Sequence, residues 1–134
     1  MKYEEIKIGA VYSFDKKITK EDVLCFAELV GDYNQIHVDK KYGRSSLFGQ
    51  NIVHGMLAGS LFSTLVGMYC PGENGLYLSQ TLNFRYPIFF NDLVCVMGEV
   101  ISKSDSIKVI TLKTQILKDN IVVIDGEAKV KLLI

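Results

Sequence analysis

The sequence predicts an α+β fold in which one long apolar helix packs against an antiparallel β-sheet. Three observations support this. Residues 55–69 form a helical stretch that is apolar nearly all round, the second half of the chain holds segments rich in Val, Ile and Thr, and short polar turns separate those segments. A chain of 134 residues, 49% hydrophobic and 22% charged, has the size and composition of one globular domain, which we expect to span 1–134.

The first strand and the first helix are predicted from residue alternation and from capping residues. The alternating character of residues 11–18 indicates a β-strand. Thr19 followed by Asp22 is typical of a helix start with an acidic first turn, and apolar residues then recur at helical spacing. Gly31 is a natural C-terminal stop, so we expect a helix over residues 20–30.

A long helix is predicted over residues 55–69, and Pro71 marks its end because proline cannot continue a helix. Gly55, Gly59 and Ser63 recur at a spacing of four, so one stripe of this helix consists of small residues. Such a stripe lets another backbone approach closely, and we expect a sheet to wrap against it. Residues 52–70 approach the length of a membrane span, but His54, Ser60, Ser63 and Thr64 favour a helix buried in the protein.

Four strand-like segments follow in the second half of the chain, each separated from the next by a short polar turn. They cover residues 75–90, 92–103, 107–118 and 121–134. Apolar and polar residues tend to alternate in the last two segments, so we expect one face of the sheet to meet solvent.

Charge and cysteine usage exclude some classes of function. Fifteen basic and fifteen acidic residues give a net charge of +0 without a block of like charge, which argues against nucleic-acid binding. Cys25, Cys70 and Cys95 each lie in an apolar run, so we expect buried, reduced thiols; a nucleophilic cysteine is the alternative. The charged N-terminus has no apolar core, so we expect no secretory signal and a cytoplasmic location.

The polar stretch "GDYNQIHVD" (31–39) is the first candidate for chemistry. Asp32 and His37 are five residues apart, a spacing that would separate them on a continuous helix, but a loop can bring both to one point. A carboxylate and an imidazole that converge can hold and polarise a water molecule. Asn34 and Asp39 suit turn backbone, and Asp39 could cap the following helix. A structural turn explains the same residues, and taken alone the stretch favours that interpretation.

The second candidate is "FGQNIVHGML" (48–57), which places Gly55 at the start of the predicted long helix. N–H groups at a helix start face outward without acceptors, and no side chain shields this one. A substrate carbonyl could therefore approach it, as in an oxyanion hole. An acid–base pair together with such a donor would make a catalytic site. For His54 we expect a structural role in shaping the helix entry.

Together the two stretches resemble the motif of the MaoC-like (R)-specific enoyl-CoA hydratases, which adopt a hot-dog fold. The family pattern reads Gly-Asp-x-Asn-Pro-x-His-x-Asp and then Phe-Gly-x-x-Ile-x-His-Gly-Met. The matching residues are Asp32, Asn34, His37, Asp39, Phe48, Gly49, Ile52, His54, Gly55 and Met56. The later "LNFRYPIFFNDLV" resembles the family's strand with Phe-x-x-Pro and an acidic turn. Gln35 stands where the family usually has proline, so the loop lacks the restraint of a proline ring.

This resemblance implies the reversible hydration of a trans-2-enoyl thioester to an (R)-3-hydroxyacyl thioester. Asp32 and His37 would hold the catalytic water and manage the protons. The Gly55 N–H would stabilise the charge that develops on the thioester oxygen. The expected substrate contacts are Asn34, Phe48 and Met56.

The resemblance also implies a fold and a set of partners. We expect a hot-dog domain, a long central helix wrapped by an antiparallel sheet, that forms a homodimer or dimer-based oligomer with the active site at the subunit interface. No metal, redox cofactor, nucleic acid or membrane is expected, and coenzyme A or an acyl carrier protein enters as part of the substrate. Two alternatives stay open: an acyl-CoA thioesterase of the same fold, and a non-catalytic subunit that binds acyl thioesters.

Overall fold

The chain begins with one strand and one helix, as its sequence predicts. The computed structural model describes all 134 residues; after a 3₁₀ turn at Tyr3–Glu5, β1 spans Val11–Lys17 and α1 spans Lys20–Val30. The Asp22 N–H donates to Thr19 Oγ1 at 3.2 Å, and the Thr19 N–H donates to the Asp22 carboxylate at 2.9 Å. Gly31 ends α1 with a φ of +82°, a left-handed conformation that glycine adopts without strain.

Two short helices follow α1. α2 spans Gln35–Val38 and α3 spans Lys40–Ser45. Both are capped by side chains: Asn34 Oδ1 accepts from the Ile36 N–H at 3.1 Å, and Asp39 Oδ1 accepts from the Tyr42 N–H at 2.8 Å. The sequence predicts the cap at Asp39 correctly. The prediction of a plain loop around His37 is wrong, because a one-turn helix such as α2 is too short to show periodicity in the sequence.

The central helical run covers residues 55–69 as predicted, but it is not one regular helix. α4 spans Gly55–Gly59, α5 spans Leu61–Thr64, and a π-helical turn spans Leu65–Tyr69. The break falls at Ser60, whose Oγ and N–H both donate to the Leu57 carbonyl. At the far end the Cys70 N–H donates to the carbonyl of Leu65, five residues back. None of the helices is long and apolar enough to cross a membrane.

One antiparallel sheet supplies the rest of the fold. Besides β1 it contains β2 (Gly75–Gln80), β3 (Asn83–Phe84), β4 (Leu93–Ser104), β5 (Val109–Lys118) and β6 (Ile121–Leu132). The strand order is β1-β4-β5-β6-β2, with β3 also paired to β6, so β1 and β2 form the two edges. Buried residues largely alternate with more accessible ones along β5 and β6, as their sequence pattern predicts.

The prediction of a single strand over 75–90 is wrong in two respects: the segment is divided into β2 and β3, and residues 85–90 lie outside the strands. Thr81 lies against the backbone of β6, and its carbonyl is so close to Gly126 that a Cβ atom on Gly126 would lie 1.8 Å from it. The Thr81 N–H donates to the Glu127 carbonyl at 3.0 Å, and the Glu127 N–H donates to Thr81 Oγ1 at 2.9 Å. Only glycine at position 126 permits this close approach, which lies between β2 and β3.

An apolar core joins the central helix to the sheet. Ala58, Phe62 and Leu65 of the helix are buried in one cluster with Val94 and Val96 of β4 and with residues of β6. Complete burial of a side chain such as Phe62 stabilises the fold by about 2–3 kcal/mol. The core therefore fixes the helix on one face of the sheet.

The stripe of small residues lets the chain approach the central helix at two of its three positions. A Cβ atom on Gly55 would lie 2.7 Å from the ring of Phe84, and one on Gly59 would lie 3.1 Å from Leu82. Ser63 is exposed and takes no part in this contact. A helical run wrapped by an antiparallel sheet confirms the α+β prediction and the hot-dog arrangement that the resemblance implies.

The three thiols differ in their burial. Cys70 is completely buried, and burial raises its pKa to about 11. Cys95 is partly buried, whereas Cys25 is exposed, and none of the three forms a disulfide. The prediction of three buried thiols is therefore wrong for Cys25, because α1 buries only Val23 and Ala27.

Candidate active site

Asp32 lies in the turn between α1 and α2, immediately after the left-handed Gly31. Its Oδ1 accepts from the Asn34 N–H at 3.1 Å, which closes an Asx turn. Its Oδ2 makes no hydrogen bond within the chain and lies 3.9 Å from His54 Nε2, and 49% of the side chain is exposed. One carboxylate oxygen therefore holds the turn, and the other is available to a ligand.

His37 lies on α2 and bonds to the segment that precedes the central helix. Its Nδ1 lies 2.8 Å from the Ile52 carbonyl, and because a carbonyl can only accept, Nδ1 carries the proton. Burial is the largest influence on the pKa of His37 and lowers it; the bond to Ile52 and the charge of Asp32 oppose this, and His54 adds to the lowering. His37 is therefore neutral at neutral pH, with a lone pair on Nε2.

His54 lies directly beside both residues and is almost completely buried, with 2% of its surface exposed. Its Nε2 lies 3.0 Å from the Asp32 carbonyl. Its ring stacks on that of His37 with centroids 3.9 Å apart, and the ring of Phe26 meets it edge-on at 5.0 Å. Its Nδ1 has no hydrogen-bond partner. The structure thus brings Asp32 and His37 together, as the sequence predicts, and puts His54 against both.

The loop is also held by Asn51, a residue that no sequence pattern singles out. Asn51 Nδ2 donates to the carbonyls of Ile36 at 3.0 Å and Asp39 at 2.9 Å, so one amide ties both ends of α2 to the segment before the central helix. The Ile52 N–H adds a bond to the Ile36 carbonyl at 3.2 Å. These bonds restrain the loop, whose backbone has glutamine rather than proline at position 35. An asparagine beside glycine and glutamine has no sequence signal that separates this role from an ordinary polar turn.

The cluster of Asp32, His37 and His54 has the residue types of a metal site, since one ligand atom from each lies within 4.8 Å of the others. The protons on the two rings decide what it can bind. His54 Nε2 and His37 Nδ1 each face a carbonyl and carry hydrogen, which leaves His37 Nε2 and the Asp32 carboxylate as accessible ligands. Two ligands are fewer than the three or four of a zinc site, and they suit the binding of one water molecule.

Gly55 is the first residue of α4, so its N–H has no acceptor within the helix, and no other backbone bond of the chain uses it. The ring of Phe84 lies where a side chain would begin. The position therefore combines a free donor with packing that only glycine permits.

A mainly apolar cavity of about 450 Å³ adjoins this donor. Gly55 and two of the three expected substrate contacts, Phe48 and Met56, line it, and Arg85 is its single charged residue. Asn34, the third expected contact, does not line the cavity, because its side chain caps α2. Asp32 and His37 do not line the cavity. Ile52 links His37 to the cavity, because Ile52 lines the cavity and its carbonyl accepts the hydrogen bond from His37.

Comparison with known proteins places these residues in a family. The family model described as MaoC like domain matches residues 4–120. A 3-hydroxybutyryl-CoA dehydratase of Methylorubrum extorquens is 36% identical over 129 residues, which are 96% of this chain and 82% of the relative. An (R)-specific enoyl-CoA hydratase of Aeromonas caviae is 35% identical over 133 residues, which are 98% of this chain and 99% of the relative.

A solved structure gives the same result. The (R)-hydratase from A. caviae involved in PHA biosynthesis has a TM-score of 0.94 at 35% identity, over 96% of this chain and 98% of that one. The similarity covers nearly the whole chain in both sequence and structure. The chain belongs to the MaoC-like domain family.

Proposed function

We propose that this chain catalyses the reversible hydration of a trans-2-enoyl thioester to the (R)-3-hydroxyacyl thioester. The observation that carries the proposal is the convergence of the Asp32 carboxylate and the His37 imidazole, which each offer a ligand atom within 4.8 Å of the other, together with the free N–H of Gly55 at the start of α4. The names of the two relatives describe the same reaction in its two directions.

The proposed mechanism uses one water molecule held by two acceptors. The Asp32 carboxylate and His37 Nε2 each accept a hydrogen bond from it, which turns its oxygen toward C3 of the substrate. A bond forms between that oxygen and C3, the electrons of the double bond move toward the thioester, and the pair takes one proton from water and returns one to C2. The Gly55 N–H stabilises the enolate-like oxygen, a contribution of about 3 kcal/mol for one such donor.

The substrate and its carrier follow from the cavity and from the relatives. Phe48 and Met56 would contact the apolar part of the substrate next to the Gly55 donor. Asn34 would act through the loop it caps rather than from the cavity wall. Coenzyme A is the carrier named for both relatives, and an acyl carrier protein is the alternative. We propose that no redox cofactor takes part, because addition of water is not a redox reaction, and that no metal takes part, because the ring protons of His37 and His54 leave only two ligands in the cluster.

We also propose that the chain works as a homodimer in the cytoplasm. β2 is an edge strand, and its Leu76 and Leu78 are 48% and 52% exposed, which suits pairing with a second copy. A partner at the active site would cover Asp32, which the single chain leaves half exposed. Light scattering tests the homodimer: a mass of twice 15.0 kDa supports it, and a monomer at assay concentration contradicts it.

The cytoplasmic location is supported by the free cysteines, which are consistent with a reducing compartment.

The test is an assay of crotonyl-CoA and longer enoyl-CoA substrates after dialysis against a chelator. We expect loss of the enoyl thioester, formation of the (R)-3-hydroxyacyl product and no release of free thiol. Release of thiol would identify a thioesterase, and binding without turnover would identify a non-catalytic subunit. Loss of turnover on chelation, restored by a metal, would contradict the absence of a metal requirement.

A further inference from the structure

His54 is a buried histidine to which the proposed mechanism gives no task. It contacts the backbone of one acid–base residue and the ring of the other: Nε2 lies 3.0 Å from the Asp32 carbonyl, and the ring lies 3.9 Å from that of His37. It also directly precedes Gly55, the proposed donor to the thioester oxygen. One side chain therefore touches or adjoins all three groups of the proposed site.

The hydrogen bonding of His54 determines which of its nitrogen atoms carries the proton. The Asp32 carbonyl can only accept, so Nε2 must be the donor. Nδ1 is buried and has no partner of either kind. A proton on Nδ1 would bury a donor without an acceptor, and moving the proton from Nε2 would break the bond to Asp32. The surroundings thus select one neutral tautomer.

We propose that His54 is a positioning residue, whose Nε2–H holds the Asp32 backbone and whose ring face orients the His37 imidazole, so that both acid–base groups meet one water. The hydrogen bond from His54 to Asp32 links the start of the central helix to the loop before α2. It complements the bonds of Asn51, which hold the same loop from its far side. The inference rests on the proposed function, and displacement of reacting groups by about 1 Å can lower a rate by about 100-fold.

Two variants separate the donor from the ring. His54→Gln keeps an N–H donor and removes the ring, whereas His54→Phe keeps a ring to stack on His37 and removes the donor. His54→Ala removes both. Val96→Ala, a core change in β4, is the matched control because Val96 is completely buried but belongs to the sheet.

We expect His54→Ala to lower kcat for crotonyl-CoA hydration at least tenfold with KM changed less than threefold, and each of the other two variants to lose less. Val96→Ala should lower the melting temperature without lowering kcat in the folded range. A folded His54→Ala protein with kcat within twofold of the wild type would overturn the proposal, as would an equal loss of kcat in Val96→Ala.

A spectroscopic measurement tests the inference without turnover. The chain has only two histidines, so long-range ¹H–¹⁵N spectra contain two imidazole rings, and His54→Phe assigns them. In the neutral rings we expect the proton on Nε2 of His54 and on Nδ1 of His37, and we expect His37 to become a mixture of tautomers in His54→Ala but not in His54→Phe, which keeps a ring to stack on it. A proton on Nδ1 of His54 would overturn the proposal. If the wild-type protein hydrates no enoyl thioester, the proposed function fails while this result still stands on its own.

Discussion

The rings of His37 and His54 stack with centroids 3.9 Å apart, and each ring directs its single proton at a backbone carbonyl, Ile52 for His37 and Asp32 for His54. Two stacked imidazoles would repel each other if both were charged. The stacking therefore disfavours a state in which both rings are charged, and neutral His37 keeps a lone pair on Nε2.

The pH dependence of activity should reflect the lowered pKa of His37. In the proposed mechanism neutral His37 is the active form, and burial lowers its pKa below the ordinary value of about 6.5. We expect kcat/KM to stay constant through neutral pH and to fall only at pH values below about 6.5. A pH–rate profile with its acidic limb above that value would contradict this assignment.

The lowered pKa of His37 should also make the free energy of unfolding depend on pH. The unfolded chain binds a proton at His37 at higher pH than the folded chain does, so protonation favours unfolding. The contribution of neutral His37 to the free energy of unfolding is complete above about pH 6.5 and is lost as the pH falls below that value. Urea unfolding of the wild type and of His37→Gln should therefore diverge in pH dependence over this range, and parallel curves would contradict it.

Substitution of the acid–base pair should remove activity and leave the fold intact. In Asp32→Asn the amide oxygen can still accept from the Asn34 N–H, so the Asx turn is kept while the charge is lost. We expect kcat to fall by about 100- to 10,000-fold in Asp32→Asn and in His37→Gln. Rates of hydration measure the loss of activity, and circular dichroism spectra measure retention of the fold. Unchanged rates would contradict the proposed chemistry.

Gly55→Ala should impair both activity and stability, because its Cβ would lie 2.7 Å from the ring of Phe84. Overpacking of this kind costs about 1–3 kcal/mol, and the shift would displace the N–H donor. Adding Phe84→Leu makes room for the methyl group. We expect the double variant to recover stability and part of kcat, and no recovery of either would argue against steric displacement.

Asn51→Ala should loosen the loop that carries His37. It removes bonds to the carbonyls of Ile36 and Asp39, at about 1 kcal/mol each. Asn74→Ala is the matched control, since Asn74 Nδ2 donates to the Met1 carbonyl, outside the site. We expect faster amide exchange in α2 and a lower kcat in Asn51→Ala alone. Equal kcat values in the two variants would show that Asn51 does not position the site.

The three cysteines should react with thiol reagents in a fixed order. Cys25 is exposed, whereas Cys70 is completely buried with a pKa raised to about 11. In the native protein we expect rapid modification of Cys25 and modification of Cys70 only on unfolding. Mass spectrometry of labelled peptides identifies each site, and equal rates for the two thiols would contradict the buried position of Cys70.

The sequence by itself determines the parts of this protein that depend on neighbouring residues. Thr19 and Gly31 delimit α1 because capping is local, and the period of two predicts β5 and β6. The motif likewise identifies Asp32, His37 and Gly55 as candidates. Their chemical roles stay predictions until the variants are measured.

Only the tertiary structure decides what depends on residues distant in the chain. The predicted strand over 75–90 is divided at Thr81, which lies against Gly126 of β6, and Cys25 is exposed because α1 buries only Val23 and Ala27. Likewise, the protons of His37 and His54 are placed by carbonyls 15 and 22 residues away. Local pattern cannot report such contacts, since a hydrogen bond between separate segments forms only once the core has brought those segments together.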